Sequence, residues 1–459
     1  MRYSLLLVIL MALIFSAQTS GAQDDEVTTI LIWGEPGTVS CINDPASTWE
    51  FCNYVRELDA RWKAEHPNIE TVWEDHGWDT DLYQNLQVAI DEGTPPDITV
   101  GESFIPQLIQ QGHLTLLELP SDVSENIIPA TAVAAELNGE LYGVPVFTAV
   151  FTLEINADLF LLAGLDPNTI DLSTWDQVEE AARVITEAGA GEFYGYSILG
   201  PTDFVTAALF RVAPYLYQVD APLCNMPVCD TPSLNHPSSV QVYEWFRRMT
   251  AYTDPKITFA GSEAFVFTQL FSGITAMQTA GSWHPFWAEG SGCFDCRYLP
   301  LPLPPNGNRA NVVVGNPIYG VLSTSEHPAE ATEFLKFMID DQNQSNLFWT
   351  GVGGRLPTTF TGIDAVQRVM DGDISSVPSY YTEFLGRDLN DAPFDARVYD
   401  VFIDELLNGD VRILPSWANH FVEVTALWNE MFTEILSTDR AIPEILDDYQ
   451  AQAEALMSS

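Results

Sequence analysis

The sequence predicts an α/β fold that is divided into more than one domain. Strand and helix patterns alternate along its N-terminal part, which is typical of mostly parallel sheets flanked by helices. The chain has 459 residues, of which 46% are hydrophobic. A chain of this length and composition can form two domain cores and exceeds what one core usually holds.

The alternation begins at residues 27–34, a β-branched run that ends at a glycine and predicts a buried strand. Apolar residues then recur at helical spacing until Pro67 ends the helix. A strand over 69–73, a helix over 82–90 and a strand over 97–100 follow. Ligands of parallel α/β sheets bind beyond the carboxyl ends of the strands, so side chains near those ends are candidate contacts. They are Trp33, Glu35, Trp78 and Glu102.

Helices dominate the later part of the chain. Thr174 and Gln177 have the spacing of a capping box at a helix start, and Pro328 is placed to begin another helix. The tail from Phe421 onward is predicted to be helical, with a break before Pro443.

The first residues predict a secretory signal peptide over residues 1–22. Arg2 gives a basic start, residues 5–15 form an apolar run that is short for a membrane span, and residues 20–22 form a small-residue cleavage site. The mature chain is expected to begin at Gln23. We therefore expect a protein that is secreted across the cytoplasmic membrane and is periplasmic or extracellular, associated with the cell surface.

The charge balance narrows the class of partner. The chain carries 18 Lys and Arg residues against 64 Asp and Glu residues, which gives a formal net charge of −46. A field of this sign repels nucleic acid and anionic membrane surfaces, so neither is expected as a partner. The same charge also keeps a secreted protein soluble, which explains it without any ligand.

Six cysteines form three pairs that are close in sequence, as expected of disulfides in a secreted protein. The pairs are Cys41 with Cys52, Cys224 with Cys229, and Cys293 with Cys296. The alternative for the last pair is a redox or zinc-binding role. A redox pair would need a helix terminus together with basic neighbours, and a zinc site would need a second pair or histidines nearby in the fold; the sequence shows neither arrangement around this pair. We predict three disulfides and no metal.

Enzyme signatures are mostly absent from the sequence. The three lysines lack the glycine and Ser/Thr neighbours of a phosphate-binding loop, and no His-Glu-x-x-His or Gly-x-Ser-x-Gly motif occurs. We therefore predict no cofactor and no catalytic residue. A catalytic triad assembled only in space, or the paired carboxylates of a glycoside hydrolase, stays open.

The order of several short segments resembles extracellular solute-binding proteins of bacterial ABC importers, in the carbohydrate-binding group to which maltose-binding protein belongs. Each segment is weak alone, but their order and spacing are specific. They run from Ile30 almost to the C-terminus and include residues 93–98, 111–114, 138–145, 154–160, 163–167, 273–283 and 354–357.

This resemblance implies two α/β lobes joined by several crossings, which close around a ligand like a hinged clamp. By analogy, lobe 1 holds residues 23–148 and 297–339, and lobe 2 holds residues 149–296 and 340–459. The stretch 144–148 and the proline-rich stretch 298–305 both have the composition of connections.

Trp283 is the strongest candidate contact, because it corresponds in position to a stacking tryptophan of the family and follows a Gly-Ser turn. A flat indole covers the C–H face of a sugar, whereas carboxylates and arginines bind its hydroxyls. A plain core tryptophan is the alternative for Trp283 and for Trp33; a helix cap is the alternative for Asp79 and an ion pair for Arg355. The full set of predicted ligand residues is Trp283, Glu35, Glu102, Trp33, Trp78, Asp79, Asp203, Arg355 and Trp417.

The sequence thus predicts the non-enzymatic binding component of an ABC importer. It would capture a sugar or oligosaccharide between two closing lobes, act as a monomer and deliver the ligand to membrane permease subunits. The alternatives are a secreted glycan-degrading hydrolase and a receptor for a cationic solute such as a polyamine.

Overall fold

The computed structural model describes most of the chain after the N-terminal segment. The predicted signal peptide and Asp203 lie outside the described residues. The described residues are 27–47, 50–202, 204–226, 229–293, 295–341, 343–344, 347, 355–371, 373, 396–417 and 420–458.

Twelve strands are assigned within the described residues. They are β1 (Thr28–Trp33), β2 (Ile69–Glu74), β3 (Ile98–Gly101), β4 (Glu136–Leu137), β5 (Glu140–Leu141), β6 (Val144–Pro145), β7 (Phe151–Asn156), β8 (Met277–Gly281), β9 (Cys296–Leu299), β10 (Ala310–Val312), β11 (Ile318–Val321) and β12 (Asp410–Arg412).

Helices surround these strands. They are α1 (Pro36–Asn43), α2 (Glu50–Glu65), α3 (Thr80–Glu92), α4 (Ile105–Gln110), α5 (Ser121–Ser124), α6 (Pro129–Ala132), α7 (Ala157–Leu162), α8 (Trp175–Gly189), α9 (Ala207–Gln218), α10 (Ser239–Met249), α11 (Pro255–Thr258), α12 (Glu263–Phe271), α13 (His284–Ser291), α14 (Pro328–Met338), α15 (Phe360–Met370), α16 (Asp400–Asn408), α17 (Phe421–Ser437) and α18 (Ile442–Met457).

The first sheet has five strands in the order β2-β1-β3-β11-β6. Strand β1 pairs in parallel with β2 and β3, as the alternating pattern predicts. Strand β11 comes from far along the sequence and pairs antiparallel with β3 and β6. The strand and helix predictions for residues 27–100 are confirmed, although α1 was not foreseen because it directly follows the glycine that ends the first strand.

The second sheet has three strands in the order β8-β7-β9, and both of its pairings are antiparallel. This differs from the mostly parallel sheet expected for each lobe. The reason is that β8 and β9 both return to β7 in the opposite direction, on its two sides. The chain does run parallel to this sheet at Tyr194 and Ser197, but only as single bridges, to Thr275 before β8 and to Gln278 in β8.

The buried apolar side chains form two large clusters, one around the five-stranded sheet and one around the three-stranded sheet. The first cluster contains residues from Ile30 to Val150 and takes in most of the described apolar residues between 313 and 413. The second contains residues from Ala149 to Val314 and most of the helical tail after Leu414. Strand β9 belongs to the second sheet, and β11 belongs to the first. The packing therefore favours a return of the chain from the second lobe to the first near β11. The lobe boundaries predicted from the resemblance stay a prediction.

Local signals explain several helix ends. The predicted capping box is present, with the Thr174 hydroxyl accepting from the Gln177 N–H and the Gln177 side chain accepting from the Thr174 N–H. Helix α14 begins at Pro328, and the tail forms two helices that are separated before Pro443, as predicted. Within the described part of the chain, no helix is both long enough and apolar enough to cross a membrane.

The three predicted disulfides are confirmed. Cys41 joins Cys52 and thereby ties α1 to α2, over a separation of 11 residues. The other two, Cys224–Cys229 and Cys293–Cys296, close loops with separations of 5 and 3 residues.

The loop sizes predict the order of the disulfide contributions to stability. A cross-link restricts the unfolded chain more when it closes a longer loop. Replacing both Cys41 and Cys52 with Ala should lower the free energy of unfolding by about 3 kcal/mol, and the same change at Cys224 and Cys229 by about 2 kcal/mol. Urea unfolding under non-reducing conditions measures both, and the two buried pairs serve as controls for each other. A larger loss for the Cys224 and Cys229 variant than for the Cys41 and Cys52 variant would contradict this prediction.

Candidate ligand-binding site

Two acids lie beyond the carboxyl end of the first sheet, where the sequence predicts ligand contacts. Glu102 follows β3, and one of its carboxylate oxygens accepts the N–H of Asn316 at 2.9 Å. Burial raises the pKa of Glu102 to about 8; the N–H of Asn316 lowers it and the neighbouring Asp79 raises it further. Glu102 therefore carries a proton for much of the time at neutral pH, so that it both donates and accepts hydrogen bonds.

Asp79 reaches from the first lobe to the second. Its carboxylate accepts the hydroxyl of Thr206 at 2.7 Å, and Thr206 precedes α9 in the second core. Asp79 stands at the N-cap position of α3, but its side chain makes no capping hydrogen bond. The alternative role as a helix cap is therefore not supported. Burial raises the pKa of Asp79 to about 6, although the Thr206 hydroxyl lowers it.

Asp79 also has an uncommon backbone conformation, with a φ of 55°. With a ψ of −116° it lies outside the left-handed helical region; such sparsely populated conformations cost a residue other than glycine about 1–3 kcal/mol and occur preferentially at binding sites. Here it directs the carboxylate toward Thr206 rather than toward the first turn of α3.

Glu35 and Arg355, both predicted ligand residues, are close together in the structure. The Glu35 carboxylate caps α1, because it accepts the Thr38 N–H at 2.7 Å and the Thr38 hydroxyl at 2.9 Å. Its other oxygen lies 3.4 Å from a guanidinium nitrogen of Arg355. The guanidinium also stacks 3.9 Å from the ring centroid of Phe147. The alternative prediction of an ion pair for Arg355 therefore matches the geometry.

Three of the four predicted tryptophans, Trp33, Trp417 and Trp78, differ in how deeply they are buried. Trp33 is 5% exposed and stacks on His76 with 3.6 Å between ring centroids. Trp417 has no exposed surface. In this structure neither ring presents a face to a ligand, so the core alternative fits Trp33 and the predicted aromatic wall at Trp417 is not supported. Trp78 is partly buried against the first core.

Trp283 follows β8 and keeps part of its surface exposed at the edge of the second core. Its indole lies over Gly281, where a side-chain carbon would come within 2.1 Å of the ring. The Phe151 ring meets it edge to face at 6.0 Å, and the Arg211 guanidinium lies 5.9 Å from its centroid. Of the predicted tryptophans, Trp283 is thus both firmly packed and still accessible.

Arg211 and Glu263 were not among the predicted site residues. Their ion pair measures 2.6 Å beside Trp283, with the Arg211 side chain 9% exposed and the Glu263 side chain 27% exposed. A sequence signal does exist, because Arg211 is the single charged residue in the otherwise apolar helix α9. A lone charge on a buried helix needs a partner, and this one lies at the site.

A fully buried acid, Glu154, lies behind Trp283 in the middle of β7. One carboxylate oxygen accepts the Gln278 amide at 2.7 Å and lies 2.7 Å from the Nδ1 of His284. The other accepts the Tyr298 hydroxyl at 2.7 Å. Burial and the Glu154 charge hold the pKa of Tyr298 well above its usual value, so this hydroxyl stays a donor. The partners belong to β8, α13 and β9, and His284 directly follows Trp283.

The structure therefore brings together a subset of the predicted residues. Asp79 and Glu102 interact electrostatically in the first lobe, and Asp79 is linked through Thr206 to helix α9. Arg211 on α9 in turn contacts Trp283. The arrangement offers an aromatic face, two carboxyl groups and an arginine, a set that binds hydroxyl-rich molecules. Among the described residues, no three His, Cys, Asp or Glu side chains are grouped to hold a metal.

Comparison with known proteins identifies the family. A sequence model of the family described as bacterial extracellular solute-binding protein matches residues 53–345, which is more than half of the chain. The chain belongs to this family. This family membership confirms the prediction of an extracytoplasmic solute-binding protein rather than an enzyme.

Solved structures confirm the predicted two-lobe α/β fold of this solute-binding protein. The cyclic α-maltosyl-1,6-maltose binding protein of Arthrobacter globiformis matches with a TM-score of 0.71 and 17% identity, covering 94% of this chain and 98% of that one. The sugar-binding protein MalE of Xanthomonas citri matches with a TM-score of 0.69 and 17% identity, over 94% and 98% of the two chains.

A relative in Brucella abortus, named only as a candidate binding protein, is 26% identical over 210 residues. These residues are 45% of this chain and 49% of the relative. The solute-binding protein therefore spans about half the length of this curated relative.

Removing the Glu154 side chain should strongly destabilise the solute-binding protein. Glu154→Ala leaves the polar groups of His284, Gln278 and Tyr298 buried without their acceptor, and we expect the free energy of unfolding to fall by about 3–5 kcal/mol. Thr152→Val is a matched control on β7, because Thr152 is also fully buried and its hydroxyl donates one long hydrogen bond within the described residues, to the Ala280 carbonyl at 3.4 Å. It should cost about 1 kcal/mol. Equal losses in urea unfolding would contradict a special role for Glu154.

The raised pKa of Glu102 predicts a pH-dependent gain from Glu102→Gln. The folded-state pKa of about 8 exceeds the ordinary value of 4.5, so ionisation of Glu102 destabilises the free protein as the pH rises between these values. The Gln variant removes this cost and can still accept the Asn316 N–H. Its gain in unfolding free energy should be near zero at pH 4.5 and reach on the order of 5 kcal/mol above pH 8. Urea unfolding at both pH values measures it, and a gain independent of pH would argue against a buried, ionising Glu102.

Proposed function

We propose that this protein captures a sugar or oligosaccharide between its two lobes and delivers it to the permease of an ABC importer. The observation that carries the proposal is Trp283, a packed but accessible indole that contacts Arg211 on the helix linked to Asp79. The names of the structural neighbours from Arthrobacter globiformis and Xanthomonas citri support it, since both are described as binding sugars.

The residues at the site suit an uncharged polyol. The Trp283 face would cover the C–H side of a sugar ring, where burial of apolar surface is favourable. Asp79 would accept hydroxyl hydrogens, and the partly protonated Glu102 would both donate and accept. The arginines do not supply free positive charge, because Arg355 is paired with Glu35 and Arg211 with Glu263.

Closure of the lobes is the proposed mechanism of capture. The hydrogen bond from Thr206 to Asp79 crosses between the lobes. A ligand that contacts both lobes adds to this interaction only in the closed arrangement, and so shifts the population toward it. The permease would then recognise the closed form. In this proposal the mature protein is a monomer, either in the periplasm or held at the cell surface.

Two other functions make different predictions in the same experiments. A glycan-degrading hydrolase would release new reducing ends from oligosaccharides, whereas a receptor leaves the ligand intact. A receptor for a polyamine would use Asp79 and Glu102 as counterions, and its binding would weaken steeply with added salt. Arg355 and Arg211 are already paired with Glu35 and Glu263, so Asp79 and Glu102 would be available to such a cation. Spermidine is therefore included in the ligand screen.

Trp283→Ala should weaken sugar binding by at least about tenfold, because it removes the stacking face. A thermal-shift screen of mono-, di- and oligosaccharides and spermidine selects the ligand, and calorimetry then measures the dissociation constants. Phe360→Ala is the control, since Phe360 is an aromatic residue in the first core's helix α15 and is 45% exposed. Full affinity in the Trp283 variant, or binding of spermidine alone, would overturn the proposal.

A further inference from the structure

The disulfide between Cys293 and Cys296 differs from the other two in its exposure and in its loop. Both of its cysteines are partly exposed, whereas the four cysteines of the other pairs are between 0% and 3% exposed. It closes a loop with a separation of 3 residues, compared with 5 and 11 for the others. A short loop gains little stability from its cross-link, and an exposed disulfide is open to attack by thiols. A reductant should therefore open this disulfide first.

This disulfide joins two elements of the site, helix α13 and strand β9. Cys293 lies just after α13, where its N–H donates to the Ala288 carbonyl at 3.1 Å, and Cys296 is the first residue of β9. Both cysteines pack against a small buried cluster that contains Ala288 of α13 and Phe271 of α12. The cross-link thus fixes the C-terminal end of α13 to the start of β9.

The same two elements are also joined through Glu154. Its carboxylate accepts the Tyr298 hydroxyl of β9 at 2.7 Å and lies 2.7 Å from the ring of His284, the first residue of α13. Helix α13 is therefore held to the sheet at both ends, by the buried network at its start and by the disulfide at its end. Trp283 immediately precedes the helix, so the position of its indole depends on how firmly α13 is held. The disulfide end can be released by a reaction at the surface, without breaking the buried network.

We propose that the disulfide Cys293–Cys296 is a redox-sensitive clip that controls ligand binding at Trp283. The thiolate of a dithiol attacks one cysteine sulfur, which breaks the S–S bond, forms a mixed disulfide and releases the other cysteine as a thiolate. The second thiolate of the reductant then displaces the first cysteine. The reductant leaves as a disulfide, and the two cysteine thiolates take up the two protons that it lost. Opening the clip frees the end of α13, and the less firmly held indole binds its ligand more weakly.

The charge of the protein selects the class of reductant. A formal net charge of −46 repels an anionic thiol such as glutathione. Arg297, the basic residue next to Cys296, is paired with Asp295 at 2.7 Å and so offers little attraction to such an anion. The reductant that suits the clip is therefore an uncharged dithiol.

Graded reduction tests the clip without any ligand. The folded protein is treated with increasing dithiothreitol, the thiols that form are alkylated, and mass spectrometry identifies the labelled cysteines. Cys293 and Cys296 should be labelled at a dithiothreitol concentration at least about tenfold lower than the other four cysteines. Hydrogen exchange of the α13 amides should then become at least about threefold faster, while the amides of α2 keep their rates. Earlier labelling of a buried pair, or unchanged exchange in α13, would overturn the proposal.

Affinity gives the second measurement, and this part rests on the proposed function. Calorimetry with the best-binding saccharide of the thermal-shift screen compares the oxidised protein, the selectively reduced protein and a variant that carries both Cys293→Ser and Cys296→Ser. Reduction and the double substitution should each weaken binding by about threefold to tenfold, and dithiothreitol should have no further effect on the variant. The control carries both Cys224→Ser and Cys229→Ser, which remove a short-loop disulfide that does not join α13 to β9. Its affinity should equal that of the wild type.

The outcomes separate the clip from the proposed function. If the oxidised protein binds a saccharide and reduction leaves the affinity unchanged, the clip is overturned and the sugar receptor is kept. An equal loss of affinity in the Cys224 and Cys229 control would also overturn the clip, because any lost disulfide would then weaken binding. If no saccharide binds, the proposed function fails, and the labelling and exchange measurements alone decide whether the clip exists.

Discussion

The buried carboxylate of Glu154 is the constraint on which the second lobe's half of the site depends. A carboxylate without exposed surface is costly unless hydrogen bonds replace its water. Glu154 meets this requirement through Gln278, Tyr298 and His284, which come from the two flanking strands and from α13. The pairing of β7 with β8 and β9 and the start of α13 are thereby fixed together. Trp283 precedes His284, so the same network sets the position of the indole.

The first lobe contributes polarity where the second contributes an aromatic face. The Asp79 charge raises the pKa of Glu102, and burial raises the pKa of both acids and so favours their protonated forms. The interlobe hydrogen bond from Thr206 compensates part of this cost for Asp79. A site that is electrostatically unfavourable when empty gains from a ligand that brings its own hydroxyl donors. This property suits the proposed release of the ligand to a permease.

Local patterns predicted the N-terminal sheet well, because its strands and helices are consecutive in sequence. The antiparallel second sheet was not predictable in this way, since β8 and β9 return to β7 from more than 120 positions away. Trp283 and the strand-end acids were predicted from topology and resemblance. The sequence does not distinguish Trp33 and Trp417 from an accessible tryptophan such as Trp283. Both are core residues, because burial depends on packing from distant segments. The single charge of Arg211 in helix α9 was a sequence signal for the site, and the predictions did not use it.

The central claim is that the Glu154 network positions Trp283 for ligand binding, and a double-mutant cycle on affinity tests it most directly. Glu154→Gln and Trp283→Phe are conservative changes, and each variant is first checked for folding by its thermal melt before calorimetry with the best-binding saccharide. If Glu154 acts through the indole, its substitution should weaken binding in the wild type and have much less effect in the Trp283→Phe background, with a coupling energy above about 0.5 kcal/mol. Strictly additive losses in the two backgrounds would contradict the account.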